Sequence, residues 1–255
     1  MGVEREAASR AVIVTGASSG IGSAIAVLVG AHGFPVAVNF KTNEAGAAQV
    51  VRDIESSGGR AVAVRADISR EDEVLELFEA SERALGKIGG LVNNAAVTGG
   101  FSRVEGLRAD AIAQVLAVNV TGTMLCAREA VHRMSMRNGG LGGSIVNISS
   151  VSARTGGAED WVHYAASKGA INTFSIGLAR EVAAEGIRVN VVAPGLIDTP
   201  LHAANGMPDR MNRVAPSIPM KRFGTPREVA EGVVWLLSPA ASYTTGAILE
   251  IGGGR

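Results

Sequence analysis

Short runs rich in β-branched residues alternate along this chain with longer amphipathic stretches. Seven such runs are present, at residues 11–15, 36–40, 61–65, 91–93, 144–149, 188–192 and 247–251. Strands that alternate with helices pair in parallel, because each helix carries the chain back to the starting end of the sheet. Runs such as AVIVT are apolar on both faces, which is typical of strands covered by helices on both sides. The pattern predicts an α/β fold, a doubly wound Rossmann-type three-layer sandwich with a seven-stranded parallel sheet.

The chain length is compatible with one domain. Its 255 residues fall within the range that single α/β domains reach, and the sequence contains no repeat, low-complexity tract or long linker. We therefore expect one dinucleotide-binding catalytic domain over residues 1–255. Segment 196–225 is the least regular part, with prolines and methionines interspersed, and this composition predicts a mobile substrate lid.

Charge and cysteine content exclude several classes of function. Lys plus Arg and Asp plus Glu each number 24, so the formal net charge is zero. Without a net field, neither nucleic acid nor an anionic membrane is an expected partner, and a small-molecule substrate is favoured. Cys126 is the single cysteine, which rules out an internal disulfide and a cysteine metal cluster. We expect a cytoplasmic protein without a membrane anchor or a metal site.

A glycine-rich turn follows the first predicted strand and precedes a helical stretch. It reads TGASSGIG, in which Gly16 permits a tight turn, Gly20 lets the backbone approach a pyrophosphate, and Gly22 permits close helix–strand packing. The spacing differs from the phosphate loop of kinases and ATPases. An ordinary glycine-rich turn is the competing interpretation. The residues predicted to contact the cofactor here are Gly16, Ser18, Ser19, Gly20, Ile21 and Gly22.

A second candidate group is Tyr164 with Lys168, four residues apart on one predicted helix face. A free phenol has a pKa of about 10, and a nearby ammonium lowers it, which makes the phenol a usable acid and base. A half-buried tyrosine beside a solvated lysine is the alternative. Ser150 ends the strand-like run SIVNISS, where its hydroxyl could hydrogen-bond a substrate carbonyl, with Ser149 as the neighbouring candidate. Asn119 could hold a water that continues a proton relay from Lys168.

Together, these motifs resemble the short-chain dehydrogenase/reductase family in residue type and in order along the chain. The resemblance spans residues 11–254 and is most similar to glucose-dehydrogenase-like and 3-oxoacyl-carrier-protein-reductase-like members. It rests on TGxxxGxG, Asn119, Ser150, the YxxxK pair, Asn93-Asn94-Ala95 and Pro194-Gly195. The resemblance implies hydride transfer between a nicotinamide dinucleotide and a carbonyl or alcohol. Its implied catalytic residues are Asn119, Ser150, Tyr164 and Lys168, with Tyr164 and Lys168 also touching the cofactor.

The same resemblance implies further cofactor contacts. Asp67, with Ile68 beside it, corresponds to the family's adenine-contacting acid, and Asn94 and Ala95 would line the adenosine ribose. The segment implied to hold the nicotinamide carboxamide comprises Pro194, Gly195, Ile197 and Thr199. Simpler interpretations are that Asp67 caps the next helix and that Pro194-Gly195 is a plain turn. Ala96 stands where the family usually has glycine.

The end of the second strand bears on which dinucleotide is used. NAD-dependent relatives carry an acid there, which accepts hydrogen bonds from the ribose. Phe40 occupies that position, and Lys41 follows as a cation for the 2′-phosphate of NADP, with Asn39 and Thr42 as additional donors. A solvated loop lysine is the alternative for Lys41. We expect NADP(H) to be preferred, with NAD(H) possible.

The sequence leaves two other functions open and predicts an assembly state. A non-catalytic redox-sensing relative would keep the glycine turn but tends to lose the Tyr–Lys pair, and a methyltransferase would not need that pair. The family resemblance and two apolar segments, 229–238 and 246–254, predict a homotetramer, although ordinary core packing explains those segments equally well. Five residues could border the substrate pocket or simply face solvent, namely Arg154, Trp161, His163, His202 and Met207.

Overall fold

The strands form one continuous parallel sheet in a computed structural model that describes residues 10–158, 160–199 and 214–255. The sheet has seven strands in the order β3-β2-β1-β4-β5-β6-β7, and every neighbouring pair is parallel. The predicted fold class is thereby confirmed. The strands are β1 (Ala11–Val14), β2 (Val36–Phe40), β3 (Ala61–Arg65), β4 (Ile88–Asn93), β5 (Gly143–Ile148), β6 (Ile187–Pro194) and β7 (Ile248–Ile251).

Strand β4 begins three residues earlier than the sequence predicted. Its first half contains Gly89 and Gly90, a residue type that is depleted in strands. Here the missing side chains have a packing reason, because a Cβ on Gly90 would lie 3.0 Å from the Val12 side chain of β1. The close approach of two central strands therefore explains why β4 begins with glycines, which made its start hard to predict from the sequence.

Helices cover both faces of the sheet. They are α1 (Gly20–Ala31), α2 (Glu44–Ser56), α3 (Glu71–Leu85), α4 (Ala109–Leu116), α5 (Thr123–Met134), the short α6 (Ser152–Thr155), α7 (Val162–Val182) and α8 (Pro226–Leu237). A π-helical turn, Ala117–Gly122, joins α4 to α5. At the start of α8, Thr225 and Glu228 form a capping box around Pro226, which satisfies backbone donors that a helix start leaves free.

The strand period of two divides the interior into two cores. Along β1, Val12 and Val14 belong to the core beneath α1, α2 and α8, whereas Ala11 and Ile13 belong to the core beneath α3, α5 and α7. Successive side chains of a strand point to opposite faces, so an entirely apolar strand supplies both cores. This explains why β1 shows no polar alternation.

The strand order reverses between β1 and β4, and ligands bind at the carboxyl ends of parallel strands near such a reversal. A cavity of about 710 Å³ lies there. Leu196 and Ile197 are buried beside it, and Ile197 forms an isolated parallel bridge with Gly224. Residues 200–213 of the predicted lid lie outside the described residues, so the lid and the single-domain assignment stay predictions.

The continuous helical stretch Ala109–Met134 passes a length and composition test for crossing a membrane. Among the described residues it is the single helix to do so, and 28% of its apolar window is buried. It packs against β4 and α3 and carries the buried Asn119. One apolar helix packed on a sheet is weak evidence for membrane insertion, so the expectation of no membrane partner stays a prediction.

Candidate active site

The cavity brings together the residues that the sequence selected. Every predicted cofactor-contact residue lies in its lining, from the glycine turn through Lys41, Asp67 and Asn94 to Thr199. Ser150, Tyr164 and Lys168 line it as well. Of the predicted site residues, only Asn119 lies behind the wall instead of in it.

The glycine turn between β1 and α1 depends on backbone conformations and clearances that other residues lack. Gly16 and Gly20 have φ values of +62° and +59°, in the region that strains residues with a Cβ. A Cβ on Gly22 would overlap the carbonyl oxygen of Gly16 and the side-chain amide of Asn94. Gly22 therefore permits close packing of α1 against the residues that follow β1 and β4.

Thr15 and Asn94 tie this turn to the end of β4. The Thr15 hydroxyl oxygen accepts hydrogen bonds from the backbone N–H groups of Asn94 (3.0 Å) and Ala95 (3.1 Å). The Asn94 amide donates to the carbonyl oxygens of Thr15 (2.9 Å) and Gly16 (3.0 Å). Sequence reasoning missed Thr15, although a threonine directly before the first glycine was the signal available.

Asn39, predicted as a donor to a 2′-phosphate, has a different task. Its side-chain oxygen accepts from the Gly16 N–H (3.1 Å), and its amide donates to the carbonyl of Ala66 (3.1 Å). It is 2% exposed. Because its donors already bind backbone carbonyls at the edge of β3, the predicted phosphate contact is corrected, and Asn39 instead positions the glycine turn.

Asn43 supports the same turn from the start of α2, where sequence reasoning missed it. Its side-chain oxygen caps the helix by accepting from the Gly46 N–H (3.1 Å), and its amide donates to the Ser18 carbonyl (3.3 Å). Asn43 also lines the cavity. The glycine turn is therefore held in place from both the end of β4 and the start of α2.

Lys41 and Asp67 face each other across the ends of β2 and β3. The Lys41 ammonium lies 2.6 Å from a carboxylate oxygen of Asp67, with the two side chains 59% and 16% exposed. Burial would raise the pKa of Asp67, but hydrogen bonds from Lys41 and Ser69 outweigh it and hold the pKa below its usual value. Asp67 also accepts from the backbone N–H of Ser69 (3.1 Å), which organises the turn before α3. Asp67 therefore holds this turn and does not cap the helix, whose N-cap residue is Arg70, and it also lies in the cavity lining.

Tyr164 and Ser150 form the polar pair at the other end of the cavity. Burial raises the pKa of Tyr164 to about 12, and a hydrogen bond with Ser150 partly offsets this rise. Removal of the phenol from water dominates this shift, and the expectation that Lys168 lowers the pKa of Tyr164 stays a prediction.

Lys168 lies one helical turn along α7 from Tyr164. Its ammonium is 5.6 Å from the centroid of the Tyr164 ring and donates to the carbonyl of Ile148 at 2.7 Å. Lys168 is 3% exposed, and burial lowers the pKa of its ammonium to about 8. It is a buried cation anchored to the end of β5, not the solvated lysine of the alternative interpretation.

The structure separates the two neighbouring serines. Ser149 is buried, and its hydroxyl donates to the Lys168 carbonyl at 3.1 Å. Ser150 accepts from the Ser152 N–H at 3.1 Å and hydrogen-bonds Tyr164. Ser150 is therefore the serine positioned for a reacting oxygen, while Ser149 fixes α7 against β5.

Asn119 sits in the π-helical turn between α4 and α5. Its side-chain oxygen accepts from the Val97 N–H (2.8 Å), and its amide donates to the Val97 carbonyl (2.9 Å) and to the Ser167 hydroxyl (3.0 Å). The amide is thus committed to protein groups. This side chain positions the loop after β4 and the start of α7, and the water-holding role of Asn119 stays a prediction.

The segment after β6 closes the cavity beside β7. A Cβ on Gly195 would lie 2.7 Å from the Cα of Gly252, so this glycine is required by close packing and Pro194-Gly195 is more than a plain turn. The Gly195 N–H donates to the Ile251 carbonyl at 2.9 Å. Thr199 lies opposite Gly20, and a Cβ added to Gly20 would lie 3.7 Å from the Thr199 methyl carbon.

An aromatic wall borders Tyr164. Trp161 stacks on Phe101 with ring centroids 4.6 Å apart and lies 5.4 Å from the Tyr164 centroid. Of the other residues proposed to border the substrate pocket, Arg154 pairs with Glu250 and His163 is buried, and neither lines the cavity. His202 and Met207 lie outside the described residues. Lining residues that the sequence did not single out include Gln114, Ser152, Thr155, Asp160 and Arg255.

Comparison with known proteins agrees with this geometry. A family described as enoyl-(acyl carrier protein) reductase matches residues 16–255. The chain belongs to the short-chain dehydrogenase/reductase family. An uncharacterised oxidoreductase of Escherichia coli (strain K12) is 49% identical over 95% of this chain and 98% of that protein.

Two further relatives carry named activities. Glucose 1-dehydrogenase 2 of Bacillus subtilis (strain 168) is 37% identical over 98% of this chain and 96% of its own length. The 3β-hydroxysteroid dehydrogenase 1 of Eggerthella lenta is 38% identical over 96% of this chain and 93% of its own length. Membership and these relatives make the chain an NAD(P)-dependent oxidoreductase acting on CH–OH groups.

Proposed function

We propose that this enzyme transfers hydride between NADP(H) and a cyclic ketone or secondary alcohol, with Tyr164 as the acid–base residue. The observation that carries the proposal is that Ser150 and Tyr164, two residues with hydroxyl groups, line the same cavity as the glycine turn. The two named relatives act on glucose and on a 3β-hydroxysteroid, and both of these are cyclic alcohols.

The residues present fit a dinucleotide. The turn leaves no room for a Cβ at Gly16 or Gly22, and it delivers the chain to the N-terminus of α1, where free N–H groups and the helix dipole favour a pyrophosphate. Lys41 and Asp67 border one end of the same cavity, and the segment from Pro194 to Thr199 borders another part. When bound, the nicotinamide supplies or accepts the hydride.

Ser150 and Tyr164 are placed to act on the substrate oxygen. In reduction, both hydroxyls would hydrogen-bond the carbonyl oxygen, and the Tyr164 proton would pass to it as negative charge develops. In oxidation, the alcohol proton would return to Tyr164. A phenol with a pKa near 12 is a weak acid that is almost fully protonated at neutral pH, so a nearby positive charge is needed to stabilise its phenolate.

Lys168 supplies that charge. Its ammonium, 5.6 Å from the Tyr164 ring centroid, is held by the Ile148 carbonyl. We assign it two roles, stabilising the phenolate and binding the nicotinamide ribose. Asn119 acts through other residues, because it braces Val97 and Ser167 beside the reacting groups.

A screen of ketones, sugars and steroids that follows nicotinamide fluorescence, with both cofactors, tests this function. We expect turnover with at least one cyclic carbonyl or alcohol. The alternative of a non-catalytic redox-sensing relative predicts cofactor binding without turnover of any compound, and that outcome would overturn the proposal.

The preference for NADP(H) is proposed from Lys41. Its ammonium is largely exposed, lies in the cavity lining, and can reach an added phosphate while staying close to Asp67. One charge-assisted contact contributes about 1.5–3 kcal/mol, which corresponds to roughly tenfold or more in kcat/KM. We expect NAD(H) to be used as well, because Lys41 is a single cation that also pairs with Asp67 and therefore gives a preference for the added phosphate, not a requirement for it.

We further propose a cytoplasmic homotetramer. Trp235 on α8 and Ile248 on β7 are 42% and 39% exposed, and β7 is the edge strand of the sheet. An apolar edge strand beside exposed aromatic surface is the kind of surface that a second copy can cover. Light scattering should return about four chain masses, and a monomer mass at micromolar concentration would refute the assembly.

A further inference from the structure

The substrate end of the cavity contains an arginine that the catalytic proposal does not use. Arg255 lies in the same lining as Ser150, Tyr164 and Trp161, and it is half-buried. Its side chain forms no ion pair with any part of the chain that the structure describes. A guanidinium that is partly withdrawn from water and has no ion pair with a described side chain can pair with an anionic ligand.

The position of Arg255 is fixed by α6, the short helix that follows Ser150. Arg154, on α6, forms a two-pronged ion pair with Glu250 (both N–O distances 2.9 Å) and also donates to the Arg255 carbonyl at 2.8 Å. Glu250 thus neutralises Arg154, while Arg154 holds the backbone of Arg255 beside the turn that follows Ser150.

Backbone packing adds to this anchoring. The Val151 N–H donates to the Pro194 carbonyl at 3.0 Å, and the Gly195 N–H donates to the Ile251 carbonyl at 2.9 Å. A Cβ on Gly252 would lie 3.1 Å from the Val151 side chain. The segment that leads to Arg255 is therefore packed against the two loops that frame the reacting hydroxyls.

We propose that Arg255 determines substrate specificity by binding a carboxylate on the substrate. The substrate class is then a carbonyl or alcohol whose flat, apolar ring lies along Trp161 and whose carboxylate pairs with Arg255. Asp160, the carboxylate next to Trp161 in the same lining, takes part in other interactions of the protein. The inference rests on the proposed function, because Ser150 and Tyr164 define which end of the cavity receives the reacting carbon.

Calorimetry with benzoate and benzamide tests the charge preference, because the two probes share a shape and differ in charge. Both are titrated into enzyme saturated with NADP⁺. We expect benzoate to bind the unaltered enzyme at least tenfold more tightly than benzamide, and Arg255→Gln to remove that difference by weakening benzoate. Arg255→Lys should keep part of it. Arg83→Gln, which removes the same charge from exposed α3, should change neither probe.

Equal binding of both probes to the unaltered enzyme, or an unchanged benzoate affinity in Arg255→Gln, overturns the proposal. So does a loss of NADP⁺ affinity in Arg255→Gln with no change in the benzoate-to-benzamide ratio, since Arg255 would then serve the cofactor. Bound NADP⁺ in each variant shows that the protein is folded. Turnover of neutral ketones by the unaltered enzyme tests the proposed function separately, because the two-probe comparison measures binding without turnover.

Discussion

The two ends of the cavity are built in different ways. At the glycine-turn end, the side chains of Thr15, Asn39 and Asn94 form hydrogen bonds with backbone atoms and thereby hold the turn in place. At the reacting end, Tyr164 and Lys168 have pKa values displaced by burial in opposite senses from their usual ones. A surface that binds a cofactor needs a fixed backbone, whereas a surface that transfers protons needs groups whose pKa values differ from those in water.

The first test of this comparison removes the hydroxyl of each of the two adjacent serines in turn. Ser150→Ala removes a hydroxyl aimed at the reacting oxygen, and we expect kcat to fall by roughly 10²–10³ while cofactor affinity stays within a few-fold. Ser149→Ala is the matched control, because it removes a hydroxyl that binds the Lys168 carbonyl and should mainly cost about 1 kcal/mol of stability. Steady-state kinetics and cofactor titration check both. A larger loss of kcat in Ser149→Ala would reverse the assignment.

The second prediction concerns the buried ammonium. Burial lowers the pKa of Lys168 from its usual 10.5 to about 8, so between these pH values the unfolded chain binds a proton that the folded chain has released. The free energy of unfolding should therefore rise with pH through this window, and the destabilising cost, about 3 kcal/mol, should be present in full below it.

Urea denaturation at pH 7.5 and 9.5 measures this effect. The raised pKa values of Tyr164 and of the buried Cys126 thiol oppose it only above their usual values of 10.0 and 9.0, and both groups are unchanged in the variant compared here. Lys168→Met should remove the rise between the two pH values. Identical pH dependence of the free energy of unfolding in the variant and the unaltered enzyme would show that burial of the Lys168 ammonium does not destabilise the fold.

A third test acts on the glycine-turn end. A Cβ at position 22 overlaps backbone and the Asn94 amide, and overpacking of this kind costs about 1–3 kcal/mol. Gly22→Ala should weaken cofactor binding by roughly thirtyfold. Gly177→Ala in α7, where a Cβ meets nothing within 4 Å, should leave cofactor affinity unchanged. Fluorescence titration distinguishes the two, and tight binding by Gly22→Ala would show that the turn is not rigid.

The smallest expected effect is on cofactor choice. Phe40→Asp with Lys41→Ala should reverse a roughly tenfold preference for NADP(H) in kcat/KM. The reason is that the new acid accepts from the ribose of NAD and repels the added phosphate. Equal or better efficiency of the unaltered enzyme with NAD(H) would show that Lys41 does not act on the phosphate.

Much of this arrangement was readable from the sequence, because strand–turn–helix order and motif spacing are local properties. The fold class and the clustering of the cofactor-contact residues follow from that order. The hydrogen-bond partners do not, since they depend on elements far apart in the chain. Asn39 reaches Gly16 and Ala66, and Asn119 is turned toward Val97 within a π-helical turn. Burial likewise set the pKa of Tyr164, which spacing to Lys168 could not reveal.

The central claim is that the cavity separates cofactor binding from proton transfer, and Tyr164→Phe tests it most directly. The ring and its packing survive this change, but the transferable proton does not. With cofactor affinity and turnover measured on the same preparation, we predict that nearly all turnover is lost while the NADP(H) dissociation constant stays within a few-fold. Substantial residual turnover, or a parallel loss of cofactor binding, would contradict this account.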